Sequence, residues 1–558
     1  MKNSVFGLVF CTLIIAGCQS TSQEKKTFLS DREAPFLWDN ATVYFLLTDR
    51  FANGDTTNDV HFDRTGSTGI LRGFQGGDFE GIIQKIQEGY FDNLGVTALW
   101  FSPVMEQIHG KTDEGTGDTY AYHGYWAKDW THIEPNWGTS EELTKLIETA
   151  HAHGIRIIMD VVLNHTGPPT EKDPVWPSDW VRMGPTCRFE SYETSVPCTL
   201  VDNLADIRTE SDAHVDLPPF LLEKWEREGR LDQELEELDH FFMETGFPRA
   251  PRYYLMKWVV DLIRDFGIDG LRIDTARHVE EEVWAELKQL ADRVFLEWKA
   301  QHPDKVLDDS PFYMVGEVYG YQASANGVFD FGDIKVDYSQ YGFTSLINFE
   351  FKGDAQKSYE KLFSKYSNLL NAPDNKISTL HYISSHDDSW PFDIKREQPR
   401  MAGTKLMLCP GSVQVYYGDE LARPLEVEGA IGDANLRSKM NWEDLENDVE
   451  RNGVTTTAIL DHWQKLGRFR KAHPAVGAGV HKMISKSPYS FSRTLETDAF
   501  IDVVVVGMDL KAGRKEMDVS GIFEDGTVLK DYYSDQTTKV KNGRIFIESE
   551  YDIILVGL

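Results

Sequence analysis

Along the chain, short runs of continuous apolar residues alternate with longer stretches in which apolar positions recur every three to four residues. The first kind reads as strands buried on both faces, the second as helices laid against them. Residues 41–48 open the series as a strand, and a helix is expected over 79–94. Strands follow at 96–104 and 155–165, separated by an aromatic loop and a helix over 141–152. Residues 166–249 then break the pattern: they are rich in proline, tryptophan and charge, with one acidic helical piece near 220–242. The alternation resumes with a helix at 253–265, a strand from 270, a helix at 279–300 and a strand at 312–318. Further strands at 345–351, 378–384 and 412–417 are each followed by a helical pattern. Eight such strand–helix units between about residues 38 and 473 predict an α/β fold, a (β/α)8 barrel with a long insertion after its third strand. A doubly wound sheet would want a glycine-rich phosphate loop, and none fits. From about residue 480 the pattern changes to short alternating runs at 499–506, 543–547 and 552–556, which predict an antiparallel β-sandwich. The expected division is barrel over 36–166 and 251–479, insertion over 167–250, and a C-terminal domain over 480–558.

The N-terminus adds an address. Lys2 is followed by an apolar run from Val5 to Ala16, too short to span a bilayer and of signal-peptide length. It ends in Ile15-Ala16-Gly17-Cys18, which resembles the lipobox of bacterial lipoproteins. Residues 1–17 are therefore expected to be a signal peptide, Cys18 the lipidated residue, and 18–35 a tether. This implies an exported protein, anchored to the membrane through lipid in the bacterial cell envelope. In that oxidising setting, Cys187 and Cys198 are expected to close a short loop as a disulfide, and Cys409, within an apolar run, to be a buried thiol. No Cys/His spacing suggests zinc. A formal charge of -33 disfavours nucleic acid as a partner and leaves neutral substrates open.

Candidate chemistry gathers just after the strands. Asp160, Asn164 and His165 follow the third, Arg272 and Asp274 lie with the fourth, Glu317 with the fifth, and His386 and Asp387 with the seventh. In a barrel these ends share one rim, so distant residues can converge. Such a set suits glycoside hydrolysis, in which one ionised carboxylate attacks the anomeric carbon and one protonated carboxyl serves the leaving oxygen. Asp274, beside Arg272, is the expected nucleophile; Glu317, in the apolar run MVGEV, is the expected acid; Asp387 would steady the positive charge of the transition state. Tyr125 offers a stacking face for a sugar ring. The loop after the first strand carries Asn53, Asp55, Asn58 and Asp59, hard oxygen donors of the kind calcium takes, although composition alone favours a polar turn.

The runs DVVLNHT (160–166), GLRIDTARH (270–278), GEV (316–318) and SSHDD (384–388) resemble, in order, the four signature regions of the α-amylase family of retaining glycoside hydrolases. GVTALWFSPV (95–104) and GSVQVYYGDE (411–420) resemble its flanking regions, and finer matches such as AYHGYW and HPAVGAG are similar to the periplasmic branch of that family. The resemblance implies endo-cleavage of α-1,4-glucan in starch and maltodextrins, a calcium-stabilised barrel, an inserted B domain and a C-terminal β domain. It carries the roles of nucleophile, acid/base and transition-state stabiliser onto Asp274, Glu317 and Asp387. It makes Tyr125, His165, Arg272 and His386 substrate-binding, with Arg277 and His278 on the acceptor side. It implies one calcium held by Asn53, Asp55, Asn58, Asp59, Gly76 and Asp78. A second, shared between barrel and B domain, would involve Asn164, Asp206 and the carbonyl of His278. Asp206 lies in LADI, which departs from the usual proline-containing form, and Ser385 stands where asparagine is more frequent. Two other readings stay open: a transglycosylating, debranching or cyclodextrin-cleaving member of the family, and a non-catalytic starch-binding lipoprotein. A monomer is expected.

Overall fold

The computed structural model describes residues 27–29, 34–388 and 390–558; the expected signal peptide and Cys18 lie outside them. Eight parallel strands close a barrel: β1 (Thr42–Leu46), β2 (Ala98–Phe101), β3 (Arg156–Val161), β4 (Gly270–Ile273), β5 (Tyr313–Gly316), β6 (Ser345–Asn348), β7 (Ser378–Tyr382) and β8 (Ser412–Tyr416), with β8 pairing back onto β1. Seven of the eight are buried along their whole length and the eighth, β7, at all but its first residue, which is why they read as unbroken apolar runs.

The helices around the barrel start and stop on local signals. α1 (Phe79–Gln87) is capped by Asp78, whose side chain accepts from the Gly81 N–H. α2 (Ser140–Ala152) opens on a capping box of Thr139 and Glu142. α3 (Pro251–Phe266) has proline in its first turn and ends at Gly267, in the left-handed region at φ 69°. A Cβ on Gly267 would meet the Trp298 ring at 2.0 Å, so sterics as well as backbone conformation require glycine there. α4 (Glu281–Gln301), α5 (Tyr359–Leu370), α6 (Pro399–Met407) and α7 (Thr456–Ala472) complete the outer layer.

Three features differ from the sequence expectation. Between β5 and β6 there is no α-helix but two short 3-10 turns (Ala323–Ala325 and Tyr338–Gln340) and a hairpin pairing Val328–Asp330 with Lys335–Asp337. This segment is glycine-, serine- and aspartate-rich and lacks an apolar stripe, and its turns use Gly327 and Gly332 at positive φ. The acidic helical piece of the insertion is two helices, Pro219–Glu228 and Leu231–Thr245, broken at Gly229. Thr27–Phe28, expected within the tether, pairs in parallel with the strand Phe500–Met508 of the C-terminal domain.

That domain has one mainly antiparallel sheet, in the order Val480–Lys486, Tyr489–Glu496, Phe500–Met508, Ile554–Gly557, Val528–Asp531, Gln536–Lys539. A second pair, Gly513–Asp518 with Arg544–Ser549, shares a core with it through Val503, Val505, Met517, Ile545 and Ile547. Among the described residues no helix is long and apolar enough to cross a membrane.

Candidate active site

The register of the barrel sets the site. Arg272 on β4 pairs with Asp160 on β3, and Ile273 pairs with Gly316 on β5. Asp274 and Glu317 are thus the next residues beyond a matched pair on neighbouring strands, which run about 4.8 Å apart. Their amides continue the ladder, Asp274 N–H donating to the Val161 carbonyl at 3.0 Å and Glu317 N–H to that of Ile273 at 2.9 Å. One buried guanidinium then ties the carboxylates together. Arg272 Nη1 lies 2.7 Å from Asp274 Oδ1 and 2.9 Å from Asp160 Oδ1, and Nη2 lies 3.0 Å from Glu317 Oε2. Thr275, a β-branched residue held at φ 49°, aims its N–H at Glu317 Oε2 over 2.9 Å. Asp387, at the end of β7, completes the group; its side chain is 32% exposed, the most open of the acids.

The environments of the acids differ. Burial pushes Glu317 well above the usual carboxylate range; Arg272 opposes this, while Asp274 and Asp387 add to it. Burial also raises Asp387, against Arg272 and Arg437. Asp160 is raised to about 6, again by burial, with Arg272 opposing and Asp274 adding. For Arg272 burial would loosen the proton, but Asp160, Glu317, Tyr125 and Asp274 outweigh it and push the guanidinium well above its ordinary value. The arrangement therefore combines a permanent cation on Asp274 with a carboxyl, Glu317, whose ionisation burial opposes.

Around the acids stand neutral imidazoles and aromatic rings. Burial lowers His165 and carries His386 well below its ordinary value, with Arg437 and Arg272 reinforcing the effect at His386. Tyr125 stacks on His386, ring centroids 5.1 Å apart, and its hydroxyl donates to Asp160 at 2.8 Å. His165 meets the Tyr125 carbonyl at 3.1 Å. On the other side, Arg277 donates to the Tyr319 carbonyl at 2.7 Å and lies over the rings of Phe189, Phe329 and Tyr319. His278 meets the Ser195 carbonyl at 2.7 Å and is held at about 4 by burial and by Arg277. Ser195 belongs to the loop that the Cys187–Cys198 disulfide closes, so the insertion reaches the rim at this point. Cys409 is a buried free thiol.

The expected calcium ligands fall in two places. In the first loop, Asn53 Nδ2 lies 2.8 Å from Asp59 Oδ1, and a Cβ on Gly76 would meet both atoms within 2.6 Å, so these three converge. Asn58 Oδ1 is buried without a donor, an oxygen suited to a hard cation. Asp55 turns toward the Thr57 N–H and hydroxyl, and Asp78 receives the N–H groups of Gly54, Asp55 and Gly81. Among the described residues no group of three or more acidic, imidazole or thiol side chains gathers to hold a metal, and Asp78 fastens the loop to α1. In the second place, Asn164 and Asp206 adjoin through the bridge between His165 and Asp206 and the Ile207 N–H to Asn164 carbonyl bond at 2.8 Å. Asn164 Oδ1 and Asp206 Oδ2 are both buried without a hydrogen-bond donor. These oxygens also suit a hard cation, but Arg182 Nε stands 2.7 Å from Asp206 Oδ2.

Several contributors escaped sequence reasoning. Trp100 donates its indole N–H to Asp160 at 3.0 Å from within a strand read only as core. Arg437, in the loop after β8, donates to the His386 carbonyl at 2.9 Å and pairs with Asp433 at 2.7 Å, and Asp433 in turn holds Arg72 at 2.8 Å. Loop residues of this kind carry no periodic signal, whereas the position of Trp100 one strand away from Asp160 was available from the barrel order.

The family model of the α-amylase catalytic domain matches residues 45–174. The periplasmic α-amylase of Escherichia coli is 35% identical over 525 residues, covering 83% of this chain and 72% of that protein. A cyclomaltodextrin glucanotransferase of Thermoanaerobacterium thermosulfurigenes is 24% identical, with 81% of this chain matching 57% of that one. In fold, the chain is similar to an α-amylase of Geobacillus thermoleovorans solved with acarbose: TM-score 0.64, 19% identity, 94% of this chain and 99% of that one.

Proposed function

Because the chain belongs to the α-amylase family of glycoside hydrolases, we propose that it is an α-amylase that cuts internal α-1,4-glucosidic bonds of starch and maltodextrins with retention of configuration. The observation that carries this reading is the single guanidinium of Arg272 shared by Asp274 and Glu317 at adjoining strand ends. Asp274, 2.7 Å from that cation, attacks the anomeric carbon. Glu317 gives its proton to the departing glycosidic oxygen. The glycosyl–Asp274 ester is then hydrolysed by a water from which Glu317, now a base, takes a proton. Asp387 hydrogen-bonds the sugar and opposes the charge of the oxocarbenium-like transition state. Neutral His165 and His386 hydrogen-bond hydroxyl groups, and Tyr125 presents its face to the ring on the donor side. Arg277 and His278 line the acceptor side.

Calcium at the first-loop set (Asn53, Asp55, Asn58, Asp59, Gly76, Asp78) would fasten that loop beside the rim, supplying charge compensation and no chemistry. Asn164, Asp206 and the His278 carbonyl are the second set the family pattern names, but there Arg182 already stands on Asp206. The enzyme is read as an exported monomer, held to the envelope by lipid on Cys18. Release from the membrane fraction by Cys18→Ala is the expected outcome; unchanged fractionation would refute the anchor.

Maltoheptaose followed over time tests the activity. Shorter maltooligosaccharides, released as α-anomers, are expected. Longer or cyclic products in excess would instead favour a transglycosylase. Glu317→Gln should bind maltodextrin without turnover; a wild type equally inert would leave the protein a glucan-binding lipoprotein.

A further inference from the structure

The joint between barrel and insertion contains a charge arrangement that calcium alone does not explain. Asp206 and Arg182 are directly opposed partners in the two-stranded ladder of Val181–Arg182 with Asp206–Ile207. Register therefore places the guanidinium on the carboxylate rather than leaving it to a flexible surface encounter. Arg182 Nε lies 2.7 Å from Asp206 Oδ2, an ion pair in which neither atom makes an aligned hydrogen bond, with the side chains 12% and 2% exposed, and Arg182 Nη2 also pairs with Glu210. The same ladder is stitched to the barrel rim. Thr166 N–H donates to the Ala205 carbonyl at 3.0 Å and Ile207 N–H to that of Asn164 at 2.8 Å.

A calcium ion on Asp206 Oδ2 would sit at about 2.3 to 2.6 Å from that oxygen. It would then share one buried oxygen with a guanidinium, and two cations so close in a weakly screened site repel strongly. Calcium and Arg182 are alternatives at this oxygen.

We propose that Arg182 is the resident cation of the barrel–insertion joint, taking the place at Asp206 that a shared calcium would occupy, so that the joint holds together without metal. Asn164 Oδ1, beside it, accepts no hydrogen bond. The inference is independent of the proposed activity, because it is read in metal content and melting rather than turnover. It leaves the first-loop set free to bind calcium.

The test compares full-length wild type, Arg182→Gln and Arg182→Lys by melting in chelator and in millimolar calcium chloride, and by bound calcium in native mass spectrometry. A first-loop ion contributes equally to all three. Arg182→Gln should bind one calcium more than wild type and lose several degrees more Tm in chelator, while Arg182→Lys, which keeps a cation, should behave as wild type. Equal calcium counts and equal chelator shifts in wild type and Arg182→Gln would overturn the proposal. Should Arg182→Gln not fold, Asp206→Asn decides. An unchanged calcium count relative to wild type supports a resident guanidinium, and loss of one calcium refutes it.

Discussion

Two buried arginines, one at each end of the barrel, show how the same residue serves different ends. Arg272 at the rim faces carboxylates, Asp160, Asp274 and Glu317, and is pushed well above its ordinary value despite its burial. Arg470, in the last turn of α7, sits at the opposite end of the strands and, among the described residues, pairs with no carboxylate. It donates to the carbonyls of Asn40 at 3.1 Å, Met407 at 3.0 Å and Cys409 at 2.9 Å, and to that of Gly411. Burial brings it down to about 9. The difference teaches that burial of a cation is not itself a sign of catalysis. Carbonyl partners make a staple that satisfies chain ends, whereas carboxylate partners make a site whose protonation states can be set against one another.

The largest effect is expected at the centre of the charged cluster. Asp274→Asn should lower kcat by at least about 10^4-fold, the scale seen when a nucleophile is removed, with maltodextrin binding retained; initial rates on a chromogenic maltooligosaccharide check this. Arg272→Met should cost on the order of 10^2 to 10^3 in kcat. Removing the cation makes nearby carboxyls harder to ionise, so the pH–rate profile should move to higher pH. Its alkaline limb reports loss of the Glu317 proton, and activity falls as pH rises through that raised value. A profile unmoved by Arg272→Met would break the contrast.

Arg470→Met should reverse the pattern. Four carbonyls lose their donor, which costs about 3 kcal/mol or more of stability, while kcat per folded molecule stays unchanged. Denaturant melts paired with active-site titration separate the two.

A smaller, pH-linked effect sharpens the point at a buried carboxyl that has no cation. Glu420 Oε1 accepts from the hydroxyls of Tyr44 at 2.6 Å and Tyr90 at 2.5 Å, and burial raises it from 4.5 to about 7. The folded state favours the protonated form, so this contribution is complete below 4.5 and is lost as pH rises through about 7. Relative to wild type, Glu420→Gln should therefore gain stability between pH 4.5 and 8.5, by up to about 3 kcal/mol. Parallel melts across that range would show the gain, and a constant difference would refute it.

Much of this contrast was legible before any coordinates. The barrel followed from unbroken apolar strands, and Asp274, Glu317 and Asp387 stood out because polar residues directly after such strands have one rim to share. The disulfide followed from compartment and proximity. What escaped depends on partners distant in sequence. The hairpin at Val328–Asp337 replaces a helix because no apolar stripe is present, yet only the fold shows where its strands pair. Arg437 acts through a carbonyl 51 positions away, and Arg182 through a cross-strand register that two-residue strands do not announce.

The central claim is that Asp274 attacks and Glu317 protonates. Its most direct measurement uses Glu317→Gln with α-maltosyl fluoride, whose leaving group needs no acid, followed by digestion and mass spectrometry. The account predicts a maltosyl ester accumulating on the peptide that contains Asp274, and none in the Asp274→Asn/Glu317→Gln double variant. An adduct on another residue, or turnover that continues with no adduct, would contradict it.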